Sequence, residues 1–313
     1  MAGRRWNAVS LVIGILLLAF IILAFNPREV YSVLSRVDLI YFVLAALCYF
    51  ATDLSGSLVL MNLLKKDSKL GFRDFVSSHM CGLLYSVPTP GRVGYYYTAY
   101  SLSKKLGSSI SANMGVLTFV QGIYLSLRAF LCLLATIYFS LILTGATYRT
   151  LFIVVSLFPL SLVAFIVLAL FSDIPHRLFG SVPVINKGLV YIKNMQEAAR
   201  DIPLKKIYAT VALGLFGWFT LGLQWFFLSK ALGLSLTYLD CLMLFQLVTA
   251  LLFVPLPSGL GVTEGGSAVA FTILGLAASE GVAFMLLVRV NMLSVDLFGL
   301  LDLKAVKKLS KKD

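Results

Sequence analysis

The chain has 313 residues, 59% of them hydrophobic and only 13% charged, where soluble domains carry about 25% charged residues. That composition excludes the soluble globular class. Lys+Arg exceed Asp+Glu by 26 to 14, a net charge of +12, but the basic residues cluster beside apolar runs, the pattern of membrane proteins and not of nucleic-acid binders. The sequence reads as an all-α polytopic membrane protein with no nucleic-acid partner.

Arg4 and Arg5 precede an apolar run over 8–25. No small-x-small cleavage pattern follows it, so it reads as a retained first span and not as a signal peptide. A bilayer core of about 30 Å needs about 20 apolar residues of helix. The stretches 39–63, 112–143, 151–171, 207–230 and 281–301 also meet that length, giving about six full spans. Two other apolar stretches, 76–87 and 241–254, are too short, and each runs into Pro-x-Pro and then glycine. They read as the first arms of re-entrant hairpins, 75–106 and 241–276, returning through 91–106 and 259–276. Tyr95, Tyr96, Tyr97 and Tyr100 follow the first elbow and read as an interfacial aromatic belt. The connector from Arg177 to Lys206 mixes Arg and Lys with Asp173, Glu197 and Asp201 around apolar residues, as an interfacial amphipathic segment does.

Lysine and arginine placement sets the orientation. With the N-terminus in the cytoplasm, 20 of the 26 fall on the cytoplasmic side, Arg92, Lys104 and Lys105 among them. Arg28, Arg36, Arg149 and Lys230 fall outside, and Arg128 and Arg289 stay in the membrane. Both termini are then cytoplasmic. Val87-Pro88-Thr89-Pro90-Gly91-Arg92-Val93-Gly94 aligns with Val254-Pro255-Leu256-Pro257-Ser258-Gly259-Leu260-Gly261 at an offset of 167. The chain therefore divides into two halves, 1–143 and 144–313, each with three spans and one hairpin. Three crossings reverse the orientation, so the halves are inverted copies, a recurring transporter plan.

The usual catalytic signatures are missing. GxGxxG, GxxxxGK[ST], HExxH and GxSxG do not occur, and His79 and His176 stand far apart. Cys48, Cys81, Cys132 and Cys241 lie in apolar stretches without metal-type spacing and read as small buried hydrophobes. No nucleophile–base pair stands at usable spacing. The expectation is a protein that is not an enzyme and carries no metal or cofactor.

The polar residues inside the apolar runs carry the rest. Backbone that leaves a helix inside a membrane lines a cavity or is buried in protein. Each elbow starts a new half-helix with free N–H groups, a natural seat for phosphate, or else the elbows pack the two halves together. Gly91, Arg92, Gly94, Gly259 and Gly261 are the candidate residues there. Arg289 and Arg128 lie in apolar spans, and Gln121 sits two turns before Arg128 on nearly the same face. Either guanidinium can grip a lipid phosphate bidentately. Alternatively, Arg289 pairs with Glu264 or Asp296, and Arg128 with Asp53. Glu264, in the first turn after Gly259-Leu260-Gly261, complements a helix N-terminus or serves an amine-bearing or proton-coupled substrate. Asp53 lies in the small-residue patch Ala51–Ser57, where helices pack closely and the carboxylate needs an ion-pair partner.

The two elbows, the second extended through Val262-Thr263-Glu264, resemble the signature elbows of the lysylphosphatidylglycerol synthase transmembrane family, the flippase-like domain proteins. Arg289 with Gly299 ten residues on resembles that family's closing pattern, and the resemblance covers nearly the whole chain. It implies a membrane part that moves lysyl-phosphatidylglycerol between leaflets, aminoacyl transfer belonging to a separate soluble domain. This chain has Gly94-Tyr95 where the family commonly shows Gly-Glu, and Gln121-Gly122 where it often shows Glu-Arg. Lysyl-phosphatidylglycerol is therefore not assumed as the substrate, and with Asp313 soon after the last span no synthase domain is expected. The expected function is flipping or scrambling of a phosphate-bearing lipid in the cell membrane. That lipid is a phospholipid, an aminoacyl- or glycolipid, or a polyprenyl-phosphate sugar. The alternative is a non-transporting subunit that docks or regulates a glycosyl- or aminoacyl-transferase partner.

Overall fold

The computed structural model describes residues 27–64, 70–89, 91–142, 186–251 and 259–302, with position 256 and isolated positions between 157 and 172. The expected span at 8–25 lies outside the described residues, as do most of 151–171 and Lys65, Arg149, Pro255, Pro257 and Lys307. Ten α-helices are described: α1 (Pro27–Leu34), α2 (Leu39–Leu64), α3 (Phe72–Ser86), α4 (Tyr97–Leu106), α5 (Ile110–Ile142), α6 (Asn186–Arg200), α7 (Leu204–Ala231), α8 (Tyr238–Ala250), α9 (Val262–Ile273) and α10 (Ala278–Asp296). Short 3-10 turns occupy Val93–Tyr96 and Leu297–Gly299. No strand occurs among the described residues.

Four helical stretches are long and apolar enough to cross a membrane: Leu39–Leu64, Ile110–Phe139, Leu204–Ala231 and Ala278–Asp302. They coincide with four of the expected spans. Their large apolar side chains face both ways. Trp225 packs edge-to-face on Phe245 and Phe284, with ring centroids 5.6 and 5.0 Å apart, in one core. Leu60, Phe75, Ala99, Leu102 and Leu117 form another under the first hairpin. Leu47, Phe130, Ile137, Phe216 and Phe219 stay exposed, as lipid-facing positions do.

The four short helices end where the local chemistry tells them to. Thr237 accepts from the Asp240 N–H at 3.2 Å while the Asp240 carboxylate accepts from the Thr237 N–H at 2.9 Å, starting α8 with a reciprocal cap. The carboxylates of Asp74 and Glu264 accept in the same way from the Gly71 and Gly261 N–H groups, three residues back. Gly107, at φ +64°, closes α4 in the left-handed conformation that glycine adopts without strain.

One order recurs. Helices starting at 39, 72, 97 and 110 run long, short, short, long, and helices starting at 204, 238, 262 and 278 do the same, a spacing of 165–168 residues. The two leading helices, α2 and α7, pack on each other over their middle turns. Thr52 and Thr220 share a hydrogen bond at 2.8 Å, and Thr52 also donates to the Gly217 carbonyl at 3.2 Å. A Cβ on Gly217 would stand 2.9 Å from Ser55 Oγ. Small residues set this close approach, as the patch around Asp53 leads one to expect. The contacts between the sets are exchanged: α5 packs on α7 and α8, and α10 on α2 and α3.

Two expectations change. The return of the first hairpin does not begin as α-helix at 91, because Arg92 takes φ +58° and Gly94 is wedged against the Tyr85 carbonyl, where a Cβ would stand at 2.0 Å. The connector 186–206 is not a free interfacial segment over its described part. Its helix α6 packs on α5, and a Cβ on Gly115 would meet the Met195 carbonyl at 2.6 Å.

Candidate functional site

Two polar constellations lie inside the apolar bundle, one beside each elbow. At the second elbow, Glu264 is fully buried and Arg289 retains 19% of its side-chain exposure. Arg289 Nε pairs with Glu264 Oε1, while its other nitrogen donates to Thr263 Oγ1 at 2.7 Å and Glu264 Oε2 at 3.3 Å. Thr263 in turn donates to Glu264 Oε2 at 3.1 Å. Of the two roles open to Arg289 in the sequence, the structure displays the pairing with Glu264.

The elbow N–H groups are engaged. Gly261 N–H donates to Glu264, Gly259 N–H to the Leu256 carbonyl at 3.1 Å, and Gly94 N–H to Thr89 Oγ1 at 2.8 Å. The expected phosphate cradle of free elbow N–H groups is therefore not present at these three glycines. A carboxylate, a carbonyl and a hydroxyl from the same loops saturate them first, because a buried N–H without an acceptor is costly. Gly91, half-buried at φ +58°, has open space around its Cα where a side chain would point.

At the first elbow, Arg92 is half-buried and its Nε donates to Ser86 Oγ at 3.3 Å. The charge count places it on the cytoplasmic side and the elbow motif makes it a candidate for the phosphate; in the structure its charge acts on Asp53, Asp296 and Arg128. The left-handed backbone at 91–92 turns the chain inward and carries the side chain with it. Tyr49 and Asp53 are one turn apart on α2, and the Tyr49 hydroxyl donates to Asp296 Oδ1 at 3.1 Å across the α2–α10 seam. Asp53 and Asp296 are each 2% exposed. Asp53 Oδ2 finds no hydrogen-bond partner among the described residues, so the ion pair expected for Asp53 is not formed.

Arg128 does something else. It donates to the Thr249 carbonyl at 3.0 Å, at the carbonyl end of α8, and lies 5.8 Å from the ring centroids of Trp218 and Phe245. A cation there complements the negative end of the helix just before the second elbow, which explains why it does not turn to Asp53. Gln121 is half-buried with no side-chain hydrogen bond among the described residues. The tyrosines are not a simple belt: Tyr95 bonds His79 Nδ1 at 3.0 Å and Tyr96 bonds Thr118 at 2.8 Å, while Tyr97 stacks on Tyr85. They pack the hairpin from within.

A third network escaped the sequence reading. Lys105, expected at the cytoplasmic end of the returning arm 91–106, has a buried side chain; its Nζ lies 2.5 Å from Asp302 Oδ1 and donates to Ser77 and Ser78 at 3.2 and 3.0 Å. Ser101 donates to Asp302 Oδ2 at 2.6 Å. The signal available was an acid, Asp302, two residues before the run of C-terminal lysines.

The family model of the lysylphosphatidylglycerol synthase transmembrane region matches residues 7–298. A UPF0104 membrane protein of Methanocaldococcus jannaschii is 24% identical over 214 residues, covering 67% of this chain and 88% of that one. No solved structure matches at a comparable level.

Proposed function

Because the chain belongs to the lysylphosphatidylglycerol synthase transmembrane family, we propose that this multi-pass membrane protein flips or scrambles a phosphate-bearing lipid between leaflets of the cell membrane. One observation carries the reading. Two guanidiniums stand at the elbows of an apolar bundle: Arg92, half-buried with Nε on Ser86 Oγ at the first, and Arg128, bonded to the Thr249 carbonyl just before the second. Arginines at such depth are costly and mark a substrate pathway, and two of them suit an anionic headgroup. With Arg289 held by Glu264, Arg92 is the side chain best placed to fork onto a phosphate, and Arg128 adds field without leaving its carbonyl.

The twofold order of helices, with its exchanged contacts and the Thr52–Thr220 bond, supports an inverted repeat with halves 1–143 and 144–313. In that arrangement α3–α4 and α8–α9 are hairpins entering from opposite sides. The lipid headgroup crosses between them while its chains stay in the bilayer.

The test is reconstitution of purified protein in liposomes with labelled phospholipids, aminoacyl- and glycolipids and polyprenyl-phosphate sugars. Arg92→Gln removes a charge-assisted hydrogen bond of roughly 1.5–3 kcal/mol, so flipping falls roughly 10- to 100-fold with the protein still monodisperse. Arg92→Lys keeps charge without the fork and falls in between. Native rates in Arg92→Gln overturn the phosphate site. A wild type that moves none of the panel favours the transferase-docking subunit instead.

A further inference from the structure

The acid pair beside Arg92 has no part in gripping a phosphate, and its charges do not balance. Asp53 and Asp296 are both 2% exposed on one apolar seam, and Arg92 is the guanidinium whose charge acts on both. The pair touches few donors: the Tyr49 hydroxyl serves Asp296, and Asp53 Oδ2 is buried with nothing to accept from among the described residues. An ionised carboxylate oxygen buried in that position without a donor is costly. The other titratable groups facing the seam do not supply the missing charge. His79, from α3, is buried with Nδ1 on the Tyr95 hydroxyl, and its Nε2 end lies against Gly56, three residues beyond Asp53. Tyr95 comes from the 3-10 turn after the elbow, and Tyr124 of α5 lies behind it. Arg289, two turns before Asp296 on α10, is paired with Glu264, and Arg128 is bonded to Thr249.

Resting on the lipid-transport reading, we propose that Asp53 and Asp296 bind one proton between them, and that this proton decides whether Arg92 faces the carboxylates or is released to the phosphate of a lipid. With the proton bound, the pair carries one negative charge instead of two and holds Arg92 less tightly, so that Arg92 together with Arg128 makes the elbow zone positive for an anionic headgroup. Without it, the second carboxylate competes with the phosphate for Arg92. Two neighbouring carboxyls titrate as a unit, so the proton belongs to the pair and not to either residue. It needs no cavity at the pair, which suits a seam this closed. The transported lipid thus moves with a proton, and the side of the membrane that is more acidic loads it.

Two measurements separate this inference from the transport it rests on. Infrared spectra of purified protein in detergent read protonation directly, through the C=O stretch of a neutral carboxylic acid. At neutral pH that band is present, shifts in Tyr49→Phe, which removes the donor to Asp296 without altering charge, and disappears in Asp53→Asn. Its absence from the wild type, or its survival unshifted in both variants, overturns the proton site whether or not any lipid moves. Flipping in liposomes at stepped pH reads the coupling: the wild-type rate falls roughly tenfold per pH unit above the titration of the pair, the slope of one proton. Asp53→Asn flattens that profile. A band that titrates while the flipping rate stays constant overturns the coupling, and no flipping at any pH refutes the transport reading while leaving the proton site decided by the spectra.

Discussion

The two hairpins occupy matching places in the order of helices, yet they are held by different chemistry. The second is fixed through its elbow: Glu264 caps the start of α9, accepts from Thr263 and pairs with Arg289, all within the elbow and the neighbouring span. The first is fixed at its far end, where Lys105 and the serines of α3 and α4 surround Asp302, and along its length by glycine. A Cβ on Gly82 would stand 1.9 Å from Thr98 Oγ1. Its elbow, by contrast, carries Arg92 without a carboxylate at ion-pair distance among the described residues. A hairpin braced away from its elbow keeps the elbow's charge available for a guest. A hairpin braced through the elbow does not.

Breaking each brace measures the difference. Lys105→Met strands the fully buried Asp302 and should cost about 3–5 kcal/mol, read as thermal unfolding of the purified protein in detergent. Arg289→Met strands Glu264 in the same way but should fall at the lower end of that range, because Arg289 keeps 19% of its exposure and water can take its place. An equal or reversed order would mean that the two braces are interchangeable. The next effect is steric. Gly94→Ala drives a methyl into the Tyr85 carbonyl and should cost about 1–3 kcal/mol. Gly266→Ala in the second hairpin meets only the Leu251 Cδ1 methyl, at 2.3 Å, which can turn aside, so its cost should be smaller. The smallest effect is conformational: Gly91→Ala adds a methyl into open space at φ +58°, and should lower stability by about 1–2 kcal/mol at most without altering the packing of α3 on α4.

Much of this frame was readable from local sequence. Proline and glycine ended α3 before a span was complete, and uninterrupted apolar length gave α2, α5, α7 and α10. The Arg289–Glu264 pair was legible as one of two options, since an acid three residues past a glycine elbow caps its own helix. What escaped depended on long-range geometry. Lys105 meets Asp302 across 197 residues, and nothing near Lys105 distinguishes it from the exposed Lys104 beside it in the last turn of α4. Arg92 was counted on the cytoplasmic side because the left-handed turn that aims it inward is not encoded by its neighbours' hydropathy. The pairing expected between Arg128 and Asp53 failed for a similar reason: a helix carbonyl end is an acceptor that no single residue letter announces.

The Lys105–Asp302 bond also orders events during synthesis. Asp302 is added 197 residues after Lys105, so α3 and α4 insert with an ammonium that has Asp74 at 3.8 Å but not yet its closer, fully buried partner. Gly299, whose Cα lies so near the α3 backbone that a Cβ would stand 2.5 Å from the Cys81 nitrogen, arrives only with the same late segment. Until then the first hairpin lacks both its closest carboxylate and the tight backbone contact at Gly299.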